Sequence, residues 1–179
     1  METKTSIFEL EPVYPETVNK IIQGLKNNSS CGLDNIPTRI LKLGRTELVP
    51  AITHMINLSI TQKKFPSAWK KAKVIPLHKK DEETNPKNYR PVSLLSNISK
   101  ILEKSVYLQL YGYSEEEKIL NNAHHGFRKS HNTTTAHIQM QDRWLEAFDE
   151  GEITAVMMLD MSAAFDLVNH ELLCKKLSI

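Results

Sequence analysis

A nearly unbroken apolar run, Ile153–Leu159, ends on a carboxylate, Asp160, and constrains this chain more than any other stretch. It is too short for a membrane-spanning helix, which takes about 20 residues. With Glu150-Gly151 just before it, the run predicts a strand buried on both faces. A second acid, Asp166, follows after the small residues Ser162, Ala163 and Ala164. A strand that delivers an acid from a dry interior to an open edge suits a divalent metal, since hard cations take carboxylate oxygens. A plainer reading stands beside it, in which Asp160 only caps the turn after a core strand.

A buried strand needs a core, and 179 residues with 40% hydrophobic and 25% charged content can build one in a single soluble globular domain. The net charge is +2 but unevenly spread. Between Lys63 and Arg90, nine basic residues stand against Asp81, Glu82 and Glu83, a local +6 that leaves −4 for the rest. Such a block suggests a polyanionic partner, the alternative being a solvated lysine-rich face. Cys31 and Cys174 are too few for a disulfide framework and lack metal-site spacing, which predicts a reducing compartment. The opening METKTSIFEL has no secretion signal and no stretch reads as a membrane span, so the expectation is cytoplasm and nucleus, without a membrane partner. Oligomeric state is not legible.

Along the chain, residues 1–15 carry Pro12 and Pro15 with little periodicity and predict a linker or frayed arm. Val18, Ile21, Ile22 and Leu25 predict a helix over Glu16–Leu25. Further helices are expected from Pro37 to Leu43, from Thr46 to Gln62, briefly after Pro66 around Trp69, over Asn97–Tyr111 and over Thr133–Asp149. Ala72–His78 and Arg90–Leu94 predict a hairpin with a charged tip, Lys79–Asn88, and Pro76 points to an edge position. His124–Ser130 reads as a loop. Helices dominate over at most three strands, so the predicted class is α+β.

Several short motifs occur in order. They are Ser30-Cys31-Gly32-Leu33-Asp34-Asn35-Ile36-Pro37, Lys64-Phe65-Pro66-Ser67-Ala68-Trp69-Lys70, Val74-Ile75-Pro76-Leu77-His78-Lys79-Lys80, Asn88-Tyr89-Arg90-Pro91-Val92-Ser93-Leu94 and His125-Gly126-Phe127-Arg128-Lys129. Last comes Leu159-Asp160-Met161-Ser162-Ala163-Ala164-Phe165-Asp166. Together, over residues 30 to 177, they resemble the reverse transcriptases of non-LTR, jockey-like retrotransposons.

The resemblance implies the fingers (residues 30–152, with an adjoining palm helix) and the truncated start of the palm (153–179) of a right-hand polymerase, preceded by an arm and helix (1–29). It implies RNA-templated DNA synthesis, with RNA template, DNA primer and dNTP as partners and two Mg²⁺ ions in the complete enzyme. Asp160 would be the first catalytic carboxylate, and Met161 would lend its backbone carbonyl to a metal. Ala163 and Ala164 would let the backbone approach the triphosphate, and Phe165 would lie under the sugar, the alternative for Phe165 being a core aromatic. Asp166 would face away. Lys79, with Lys80 as the alternative, would meet the γ-phosphate, and Arg90 the α-phosphate. Lys70, Lys71, Lys73, Gly126, Phe127 and Arg128 would touch template or primer, with Gly126 permitting a close turn. His124, His125, His131 and His137 lack the cysteines or spaced acids of a metal site. The chain has no Asp-Asp pair, which such polymerases carry further on, so a fragment is expected. The alternative function is a non-catalytic nucleic-acid-binding or interaction module.

Overall fold

Helices carry the first of the two units into which the chain divides, Met1–Asn121 and Asn122–Ile179, in a computed structural model that describes residues 7–27, 30–161 and 164–177. Helix α1, Pro15–Gly24, opens on a proline whose missing N–H is no loss in a first turn, and buries Val18, Ile21 and Ile22. Helix α2, Thr38–Leu43, is separated from α3, Arg45–Thr61, by Gly44 alone. The last helix of this unit, α4, runs from Asn97 to Glu116, five residues beyond the expected end. Helix α1 packs on α2, α3 and α4. Ile22, Leu41, Ile52, Ile56 and Ile101 make the centre of their shared core.

The arm before α1 is not frayed over its described part. Asn57 of α3 donates to the Val13 carbonyl (3.0 Å) and accepts from the Val13 N–H (2.7 Å). Gln109 of α4 does the same for Glu11, at 2.9 and 2.8 Å. Each carboxamide thus imitates a neighbouring strand, and Val13 is buried beneath the arm. Low periodicity does not reveal such a grip, because it acts on the main chain. Asn57→Ala is expected to cost about 1–3 kcal/mol, since it leaves both main-chain groups of Val13 unpaired. Urea denaturation checks the loss, and limited proteolysis should cut the variant first within residues 7–14.

Strand β1, Lys73–His78, pairs antiparallel with β2, Tyr89–Leu94, from Lys73 opposite Leu94 to His78 opposite Tyr89. Just past β1, the Lys79 N–H donates to the Asn88 carbonyl at 2.8 Å. Counting back from that bond, Pro76 and Pro91, which face each other, occupy a pair whose N–H groups would point outward. Their missing donors cost the ladder nothing and blunt both outer edges. The tip is held by side chains: Asn88 Nδ2 donates to the Glu82 carbonyl (2.8 Å) and Tyr89 Oη to that of Glu83 (2.8 Å).

In the second unit, α5 spans Thr133–Asp149 and begins with a reciprocal cap between Asn132 and Thr135. His125 is bonded through both ring nitrogens, to Thr135 (3.1 Å) and Gln139 (2.7 Å). Helix α6, His170–Leu177, was not expected; Asn169 caps it by accepting from the Leu172 N–H at 3.0 Å.

The strand expected over Ile153–Leu159 is not formed. Those residues belong to no strand and lie exposed, with Ile153 99% and Leu159 86% accessible. An apolar run states what must be covered, not what covers it. A strand also needs a neighbour for its N–H and C=O groups, and among the described residues β1 and β2 are the only strands and pair with each other. The mixed α and β composition stands; the first palm strand does not.

Candidate functional site

The hairpin presents the basic residues expected to meet a nucleotide. Leu77 and Arg90 are directly opposite and so project from the same face. The bond from the Lys79 N–H to the Asn88 carbonyl carries the ladder one pair further and places Lys79 on that face too, diagonal to Arg90, while Lys80 lies past the strand in a bend. Lys79, Lys80 and Arg90 are all exposed. Lys70, Lys71 and Lys73 lead into β1 and are likewise exposed. Lys70 ends a 3₁₀ turn, Ser67–Lys70, whose Trp69 packs against the helical core.

In the second unit, Asp160 and Met161 follow the uncovered apolar run, and both are exposed. Ser162 and Ala163 lie outside the described residues, while Ala164 opens a turn that continues through Leu167. Phe165 is 79% exposed and meets Phe127 edge-on, with ring centroids 6.2 Å apart and planes at 80°. A core position for Phe165 is therefore not seen among the described residues. The contact joins the Gly126-Phe127-Arg128 loop to the stretch after Asp160. The tight backbone in that loop is at Phe127, with φ of 57°, and not at Gly126. Arg128 is half-buried.

Asp160 and the Met161 carbonyl are oxygen donors of the kind Mg²⁺ takes. Two donors do not complete its shell, and no three His, Cys, Asp or Glu side chains among the described residues could hold a metal ion together. The described residues thus offer two oxygen donors at this point and no complete metal-holding cluster. None of their helices is long and apolar enough to cross a membrane.

Four further residues were not assigned roles from sequence. Gly32 lies against the backbone of Leu95 and Ser96. Asp34 accepts a hydrogen bond from Ser96 Oγ at 2.6 Å. Ser96 caps α4 by accepting from the Ile98 N–H at 3.2 Å. Asn97, fully buried, donates to the Ile36 carbonyl at 2.8 Å. The signal available was a serine just ahead of an apolar helical period, which marks a helix cap. Nothing local ties it to Asp34, 62 residues away.

Residues 77–178 match the family described as reverse transcriptase (RNA-dependent DNA polymerase). The chain is 32% identical, over 92% of its own length and 19% of the relative's, to the probable RNA-directed DNA polymerase from transposon BS of Drosophila melanogaster. It is 31% identical to the probable RNA-directed DNA polymerase from transposon X-element of the same organism, over 90% of this chain and 18% of the relative. The RNA-directed DNA polymerase from mobile element jockey, also of Drosophila melanogaster, is 30% identical with the same coverage, 90% and 18%. The chain spans about a fifth of the length of these relatives. The matched segment places the chain in the reverse transcriptase family, and the relatives to which it is similar are polymerases of transposons and of the mobile element jockey.

Proposed function

We propose that this chain is the fingers and the opening of the palm of an RNA-directed DNA polymerase of a retrotransposable element, with RNA template, DNA primer and dNTP as its partners. In this reading residues 1–29 are an arm and helix, 30–152 the fingers with an adjoining palm helix, and 153–179 the start of the palm. The observation that carries it is the hairpin, which sets Lys79 and Arg90 on one exposed face within a matched family segment. Similarity to polymerases along nine-tenths of the chain favours this over a non-catalytic module.

Lys79 meets the γ-phosphate as a mobile point charge, and Arg90 lies along the nucleotide with its planar donors on the α-phosphate. Asp160 and the Met161 carbonyl hold divalent metal, as Mg²⁺, together with carboxylates from elsewhere in the polymerase. Metal bound there would lower the pKa of the primer hydroxyl and neutralise charge on the departing pyrophosphate. Phe165 packs under the deoxyribose, and Ala163 and Ala164 leave room for the triphosphate. Phe127 supports the Phe165 ring from its edge, and Arg128, with Gly126, contacts template or primer backbone.

The 179-residue chain is expected to bind an RNA–DNA duplex without extending it. Affinity should fall with salt, by a slope of about −0.9 for each phosphate neutralised. Replacing Lys70, Lys71 and Lys73 by alanine should flatten the slope by about 2–3 if all three reach phosphates. An unchanged slope would assign them to a solvated surface, and robust Asp160-dependent extension would show that the metal site is complete without further carboxylates. No duplex binding at any salt concentration would count against the proposal itself.

A further inference from the structure

Hairpins of two strands are marginal on their own, and among the described residues the main packing partner of each strand is the other strand. The direction in which Lys79 and Arg90 point is therefore set at the two roots of the hairpin. One root is apolar: Trp69, three residues ahead of Ala72, packs against the helical core edge-on to Phe65, at 6.3 Å.

The other root is polar. Strand β2 ends at Leu94, and the next two residues are held by the loop Ser30–Pro37. Gly32 brings its backbone so close to Leu95 and Ser96 that a Cβ on it would lie 2.4 Å from the Ser96 nitrogen. The Asp34 carboxylate accepts from Ser96 Oγ (2.6 Å) with one oxygen and from the Ile36 N–H (3.2 Å) with the other. Ser96 is buried and caps α4 at the same time. One hydroxyl thus joins the loop, the end of β2 and the start of α4.

We infer that Asp34 and Ser96 are a positioning pair that fixes the root of the hairpin, and through it the placement of Lys79 and Arg90; the nucleotide part of this inference rests on the function proposed above. Neither residue needs to touch the nucleotide. Losing either side of the bond frees the end of β2 while leaving the Trp69 root and the helical core in place.

Hydrogen exchange on the full chain tests the anchor. Asp34→Ala and Ser96→Ala should each speed exchange in β1, β2 and the Lys79 amide at least tenfold, with α1 and α3 changed less than twofold. Ser96→Thr, which keeps the hydroxyl, should restore protection, and the double variant should be no worse than the worse single one. Unchanged hairpin exchange, additive effects, or equal loss across the helices would overturn the inference. Binding of dTTP, measured alongside, separates the two readings. If Lys79→Ala with Arg90→Ala leaves dTTP binding unaltered, the nucleotide assignment fails while the exchange result still decides the anchor. If dTTP binding depends on those two residues, Asp34→Ala should weaken it at least fivefold, and an unchanged affinity would overturn the positioning role.

Discussion

Asp160→Asn, made in the complete polymerase, is expected to abolish addition of both deoxyribo- and ribonucleotides. Asparagine keeps the shape of the side chain but removes the charge, and a hard cation such as Mg²⁺ binds through carboxylate oxygens. The loss should fall equally on both sugars, because a metal held there, as proposed, would serve the phosphates. Phe165→Val should behave differently. A flat ring under the deoxyribose leaves no space for a 2′-hydroxyl, and shifting the sugar by about 1 Å can cost on the order of a hundredfold in rate. Valine should therefore raise ribonucleotide use relative to deoxyribonucleotide, seen as a changed ratio of kcat/KM values. Single-nucleotide incorporation with dNTP and rNTP side by side checks both variants. An unchanged sugar ratio in Phe165→Val would return that ring to a packing role, where truncation costs about 2–4 kcal/mol of stability. Its 79% exposure argues against that outcome.

Two glycines are expected to respond in opposite directions when replaced by alanine. At Gly32 the new Cβ would lie 2.4 Å from the Ser96 nitrogen and 2.7 Å from the Leu95 carbonyl carbon, both main-chain atoms with no rotamer to escape into. Either the loop withdraws and the Asp34–Ser96 bond breaks, or the start of α4 moves; overpacking of this kind costs about 3 kcal/mol. At Gly112, inside α4, nothing lies within 4 Å of the added atom. Alanine there removes the entropic penalty of a helical glycine and should stabilise by about 0.5–1 kcal/mol. Urea midpoints of the two variants, read against the unmodified chain, should move apart by opposite signs.

The helices were legible because their apolar residues recur at helical spacing, and Val18, Ile21 and Ile22 of α1 are buried as that spacing requires. The hairpin was legible through its flanking apolar runs and charged tip, and the ladder, carried one pair further by the Lys79–Asn88 bond, puts Lys79 on the face of Arg90. Helix α6 was missed because its eight residues show too little of a period and no proline marks its start, as Pro37 does for the still shorter α2. The run Ile153–Leu159 was misjudged for a different reason: its need for burial is local, but the surface that meets that need is not. The Asp34–Ser96 bond and the grip on the arm share this property. Each joins residues tens of positions apart through polar atoms, where hydrophobic spacing is silent.

The grip on the arm has a consequence for how this segment can vary. Asn57 and Gln109 hold only main-chain N–H and C=O groups of Val13 and Glu11. Side-chain identity at Glu11 is not read by its clamp, and at Val13 it matters only through the buried contact. What the clamps do forbid is proline at either position, because it has no N–H to give. The intervening residue, Pro12, is free of that rule. The arm can thus drift in sequence, or be exchanged for another extended peptide, and still dock in the same place.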